Sequence, residues 1–203
     1  LRTQVTTTHI VTIEDPVEYR LDRVTQIQVN PRAGVTFQNA LRSILRQDPE
    51  VIMVGEIRDK ETAQVASEAA LTGHLLLSTF HANDAATAIP RLLDMEIEPF
   101  LLASTLELVI AQRLVRKICE SCRVSYAPKL AELKQQLHSP REYFTTKDRL
   151  YYGKGCNACQ HTGYIGRTAI YEFIELTAEL QQLITQHPTS QDIWKLARAN
   201  GAS

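Results

Sequence analysis

The chain has 203 residues, enough for one good domain with an appendage. Hydrophobic content of 44% and charged content of 22% fit an ordinary globular protein, and a formal net charge of -1 gives no overall pull toward nucleic acid. No polybasic block points to a membrane surface, no apolar run approaches the roughly 20 residues needed to span a bilayer, and no secretory signal stands at Leu1.

His9 to Ile13 is β-branched and apolar, a buried strand that ends in Glu14-Asp15-Pro16. Alone, Glu-Asp-Pro reads as a polar turn. Beside a second acid-tipped strand it reads as a shared acidic site, able to hold hydrated Mg²⁺ or polarise a water. Gln26 to Val29 is a short strand, and Asn30 to Gly34 a turn. Thr36 caps a helix whose Phe37, Ala40, Leu41, Ile44 and Leu45 form one apolar stripe. Pro49 forces that helix to stop at Asp48.

Val51 to Val54 is the second acid-tipped strand, an apolar run followed by Gly55 and Glu56. Such runs suit a parallel sheet buried on both faces, and ligands of open α/β sheets sit at the strands' carboxyl ends. Apolar run plus acid is the Walker B pattern. Here Gly55 stands where the usual P-loop version has a magnesium-holding Asp, so another carboxylate must help with the metal. The competing reading is a solvated Glu capping a buried strand.

Asp59 caps a helix to about Leu71, ended by Gly73. Leu75 to Thr79 is a third buried strand, bracketed by His74 and His81. His81, on the functional edge before Asn83 and Asp84, is a candidate phosphate sensor; His74 is structural. Asn83 or Asp84 caps the next helix, which contains Pro90. Pro99 opens another helix reaching about Gln112, with Leu102, Leu106, Val109 and Ile110 on its apolar face. Leu114 to Ile118 returns as a strand within a locally basic stretch holding Arg113, Arg116 and Lys117.

All four cysteines fall into two Cys-x-x-Cys pairs, Cys119/Cys122 and Cys156/Cys159, with 33 residues between the inner two. This is the ligand pattern of a closed tetrahedral Cys₄ zinc site, structural rather than catalytic. A polar helix is expected near Leu130–Leu137. Thr168 to Leu176 reads as a strand, and Thr177 and Thr189 each cap a terminal helix, the latter with Asp192 in a capping box.

Together these motifs carry a resemblance. Thr12 to Tyr19 resembles the Asp box of the ATPases of type II secretion and type IV pilus assembly, Asp48 to Asp59 their Walker B, and Leu71 to Asp84 their His box. The tetracysteine set and Gly163 to Glu172 resemble the zinc-bearing branch of that family, and the likeness covers nearly the whole chain. It implies an α/β fold with a partial RecA-like P-loop NTPase core over residues 1–118. An inserted Cys₄ zinc module over 119–159 follows, then a return strand and C-terminal helices over 160–203. The implied protein is a homohexameric motor at the cytoplasmic face of the inner membrane, peripheral to it. It would couple Mg-ATP hydrolysis, through an inner-membrane platform protein, to pilin or pseudopilin assembly, without nucleic acid.

By motif, Glu56 and Glu14 are the catalytic carboxylates, and Asp15, His81, Arg113 and Arg116 bind or sense the nucleotide and its Mg²⁺. Cys119, Cys122, Cys156 and Cys159 hold the zinc. The family's phosphate loop precedes its Asp box, and this chain is expected to be a C-terminal fragment that starts after it, inactive on its own. Two alternatives stand beside the motor: an inactive zinc-stabilised docking module, and a zinc-ribbon nucleic-acid binder using Arg113, Arg116, Lys117 and Arg123, which the near-neutral charge opposes.

Overall fold

The computed structural model describes residues 8–129, 133, 145 and 148–202. The chain divides into two compact units, Leu1–Ala111 with Glu172–Ser203, and Gln112–Tyr171.

The first unit is built on a parallel sheet of β1 (Ile10–Glu14), β2 (Thr25–Gln28), β3 (Val51–Val54) and β4 (Leu75–Ser78), in the order β2-β1-β3-β4. Ile13 lies opposite Val54 and Ile27, so β1 and β3 end level. Helices α1 (Phe37–Ile44) and α2 (Lys60–Leu71) pack with these strands. Val11, Ile13, Leu41, Ile44, Ile52 and Val54 form one core, each fully buried. A large aliphatic side chain so buried contributes about 1.5–3 kcal/mol.

Each helix begins where its sequence gives an acceptor. Thr36 accepts from the Asn39 N–H, Asp59 from Thr62 and Asp84 from Thr87, satisfying N–H groups that the first turn leaves unpaired. A second core joins α3 (Ala85–Asp94) and α4 (Pro99–Thr105) to α5 (Ala178–Ile184) and α6 (Ser190–Ala199). Thr177 and Thr189 cap the last two helices, and Asp192 completes the capping box at Thr189.

Two expectations differ from what is found. Leu75 to Ser78 is a strand but not a buried one. It is the edge of the sheet among the described residues, leaving Leu75 and Leu77 48% and 41% exposed. The helix from Pro99 ends at Thr105 rather than near Gln112, and β5 (Leu108–Ile118) takes over. The spacing of Leu102, Leu106, Val109 and Ile110 fits a helix, but long-range pairing of β5 with β8 (Tyr164–Glu175) overrides it. The helix expected near Leu130–Leu137 lies outside the described residues, apart from Leu133, which is helical and buried.

In the second unit β6 (Arg123–Tyr126) and β7 (Leu150–Gly153) form an antiparallel pair, with Val124 opposite Tyr152. Gly153 and Gly163 approach back to back. A Cβ on Gly153 would lie 2.1 Å from the Gly163 carbonyl oxygen, and one on Gly163, at φ 78°, would lie 2.6 Å from that of Gly153. Backbone cannot yield cheaply at such distances. Gly153→Ala is therefore expected to loosen this unit well beyond the roughly 0.5–3 kcal/mol of an ordinary substitution. Gly201→Ala, with open space around it, should cost only left-handed strain. Amide exchange across residues 112–171 reads the first outcome, and exchange across α6 reads the second.

Candidate active site and metal centre

The level ends of β1 and β3 bring two carboxylates to one edge of the sheet. The Gly55 N–H donates to the Ile13 carbonyl at 2.7 Å, continuing the ladder past the last residue of β3. A Cβ at Gly55 would lie 3.0 Å from that oxygen and 3.4 Å from the Glu14 Cα. Close passage of β1 thus explains a glycine at the position where the usual pattern carries Asp. The acid is moved one residue on, to Glu56.

Glu14 is held by its own sheet. Its Oε1 accepts from Thr12 Oγ1 at 2.6 Å and from Gln26 Nε2 at 2.8 Å. Thr12 is fully buried, so the first bond also satisfies a hydroxyl that the core would otherwise strand. Glu56 is more enclosed, its side chain 13% exposed, and its Oε2 accepts from Arg58 Nε at 2.5 Å. The Glu56 carboxylate, by hydrogen bond and then by charge, raises the Arg58 pKa, with Asp15 adding a smaller attraction. His81 Nε2 lies 3.4 Å from the same Glu56 oxygen on a side chain 85% exposed. The β3 and β4 ends are tied together by Thr79, whose hydroxyl donates to the Gly55 carbonyl and whose carbonyl accepts from Ile57.

The structure thus places Glu14, Asp15, Glu56 and His81 along one strand-end edge. Arg113 and Arg116 belong to the second unit, where both are exposed and Arg116 sits 4.0 Å from the Tyr164 ring centroid. His74 is structural, its Nδ1 2.9 Å from the Ala69 carbonyl. Sequence reasoning missed Arg58, Gln26 and Glu172. Arg58 had a signal, since residues two apart in extended chain share a side and 56 and 58 are of opposite charge. Glu172, which accepts from the Ala85 N–H that opens α3, had none; the two lie far apart in sequence.

The four cysteine sulfurs lie within 4.8 Å of one another. Cys119 to Cys156 and Cys122 to Cys159 are 3.9 Å apart and Cys156 to Cys159 3.8 Å, with no disulfide. A tetrahedron with metal–sulfur bonds of about 2.3 Å has edges of about 3.8 Å, so the set fits a metal ion. Burial opposes the Cys159 thiolate. Donation to its sulfur from the Cys156 and Gly163 N–H groups and the neighbouring thiols outweigh burial and bring it down to about 6. Burial, with the neighbouring thiols, pushes Cys122 up to about 12. Four crowded sulfurs cannot all ionise without a cation among them.

Residues 2–203 match the family described as "Type II/IV secretion system protein". The chain belongs to this family. It is 48% identical over 200 residues to the type II secretion system protein HxcR of Pseudomonas aeruginosa, covering 98% of this chain and 38% of that protein. To the type IV pilus assembly ATPase PilB of Thermus thermophilus it is 50% identical over 190 residues, 94% of this chain and 21% of that one. Among solved structures, the pilus retraction motor PilT with bound ADP matches with a TM-score of 0.64 and 30% identity over 93% of this chain and 44% of that one. The chain spans less than half the length of each of these relatives.

The metal centre yields a direct expectation. The buried apolar residues described in the second unit are Cys119, Cys159 and Leu133, too few to form a core. Chelation, or Cys156→Ser, should accelerate amide exchange through residues 112–171 and leave the β1–β3 sheet protected. A metal-free protein with that segment still protected would reduce the cysteines to ordinary buried residues.

Proposed function

We propose that this chain is the carboxylate-bearing part of a RecA-like motor ATPase that drives pilin or pseudopilin assembly in type IV pilus biogenesis or type II secretion. The observation that carries it is the convergence of Glu14 and Glu56 at the level ends of adjacent parallel strands, with His81 on Glu56. In this reading Glu56 orients and deprotonates the attacking water. Glu14, with Asp15, holds the hydrated magnesium ion of Mg-ATP. His81, bridging solvent and Glu56, senses the terminal phosphate. Arg58 neutralises Glu56 until a phosphate competes for the guanidinium. Arg113 and Arg116 are kept as nucleotide-contacting residues by motif alone.

The phosphate cradle would come from the longer protein, since these 203 residues contain no Gly-x-x-x-x-Gly-Lys-[Ser/Thr]. The open edge of β4, with Leu75 and Leu77 half exposed, leaves room for a further strand. The assembled motor is a homohexamer at the cytoplasmic face of the inner membrane, acting on a platform protein. Zinc on Cys119, Cys122, Cys156 and Cys159 is structural, because four protein ligands leave no open coordination position. No helix among the described residues is long and apolar enough to cross a membrane.

In a chain that includes the phosphate loop, Glu56→Gln should lower turnover by about 10²–10⁴-fold and spare ATP binding, because the amide cannot accept a proton. Unchanged turnover would leave Glu56 a solvated strand-end residue. The 203-residue chain alone should show no steady ATP turnover by phosphate release. Steady turnover would place phosphate recognition within these residues and overturn the division of the site.

A further inference from the structure

Residues 15–24 carry β1 into β2, its parallel neighbour, with no helix or strand of their own. Parallel neighbours are usually joined by a helix that packs back on the sheet. This crossover is instead tied down by two glutamines of β2. Gln28 Oε1 accepts from the Val17 N–H at 3.4 Å, and Gln26 Oε1 from the Leu21 N–H at 2.7 Å. Gln26 Nε2 donates to the Tyr19 carbonyl at 2.9 Å and to Glu14 Oε1 at 2.8 Å. In the β1–β2 register Thr12 lies opposite Gln26 and Glu14 opposite Gln28, so all four side chains share one face of the sheet.

Gln26 therefore joins loop and carboxylate through a single amide, and the two ends of that amide are not interchangeable. The Leu21 N–H can only donate, so it takes the oxygen. The Tyr19 carbonyl can only accept, so it takes the nitrogen. With both loop groups in place the amide cannot turn over, and an N–H must face Glu14. A flipped amide would set its oxygen against the Glu14 carboxylate, two acceptors with no proton between them.

The consequence falls on Glu14. Its two donors, Thr12 and Gln26, are neutral, so they aim the carboxylate without cancelling its charge. Both bonds go to Oε1, which leaves Oε2 available to a ligand. Thr12 is fixed from within the core, whereas Gln26 is fixed by the loop.

We propose that Gln26 is a positioning residue for Mg-ATP hydrolysis, the group through which the 17–21 loop orients Glu14 toward the magnesium ion. The inference rests on the reading of Glu14 as a magnesium-holding carboxylate. Gln26 itself touches neither substrate nor metal and acts through Glu14. It is half-buried on an edge strand among the described residues and belongs to neither apolar core, so replacing it spares the packing.

The test is turnover, read by phosphate release, in a chain that includes the phosphate loop, with circular dichroism confirming that each variant is folded. Gln26→Met keeps the length and removes both ends of the amide. It should lower kcat about 10–100-fold, raise the magnesium concentration needed for half-maximal turnover, and leave the KM for ATP unchanged. Gln26→Glu keeps an acceptor for Leu21 but turns a second acceptor toward Glu14. It should lose as much turnover while the Leu21 N–H stays protected from amide exchange. A double-mutant cycle shows whether Gln26 acts through Glu14. In a Glu14→Asp background, whose shorter acid no longer meets the amide, Gln26→Met should cost little further. Additive losses overturn the proposal, because they make Gln26 a general support of the fold. Wild-type turnover in Gln26→Met or Gln26→Glu also overturns it, and leaves the motor reading standing where Glu14→Gln is inactive. Wild-type turnover in Glu14→Gln removes that reading of Glu14 and the role of Gln26 with it.

Discussion

The parallel register of β1 against β3 is the constraint on which the site depends. With Ile13 opposite Val54, the next peptide of each strand meets at the Gly55–Ile13 hydrogen bond, and the following side chains are acids. A slip of one residue would turn Ile13 and Val54 out of the core and separate Glu14 from Glu56. The burial of Val11, Ile13, Ile52 and Val54 against α1 and α2 makes such a slip costly. Positioning of the carboxylates therefore draws on core packing rather than on interactions among the polar groups. Those groups refine the result: Thr12 and Gln26 fix Glu14, and Arg58 fixes Glu56.

The second unit solves a different problem. Its described residues include almost no buried apolar side chains, and glycines let its backbone close where side chains would obstruct. Four converging sulfurs supply the missing cohesion if a metal binds, since metal affinity then counts toward folding. Backbone N–H groups of Cys156 and Gly163 aimed at Cys159 are part of the same design, favouring the anionic sulfur a metal requires.

Much of this was legible in the sequence because it rests on local chemistry. The caps at Thr36, Asp59, Asp84, Thr177 and Thr189 each fall where a short polar side chain precedes an apolar period. The Cys-x-x-Cys spacing announced a cluster that the geometry assembles. What was illegible depends on partners distant in the chain. Residues 106–112 have a helical apolar period, yet Leu108 onward pairs with a strand more than fifty residues later. Leu75 and Leu77 read as interior because apolar runs do, and only the sheet order reveals an edge. Glu172 capping α3 is beyond any window of local pattern.

Charge shows the same limit in another form. A net value near zero counts for little when its parts lie in separate compact units, because screening confines each charge to its own neighbourhood. At physiological ionic strength the Debye length is about 8 Å, smaller than either unit, so a surface responds to the local balance rather than to the sum. The first unit carries its excess of acids together with the strand-end carboxylates Glu14 and Glu56. The second carries an excess of bases, five of which, Arg113, Arg116, Lys117, Arg123 and Arg167, lie exposed on its described strands. Placing both excesses on one domain would let them cancel at close range. Separating them leaves the surface of each unit to its own local balance.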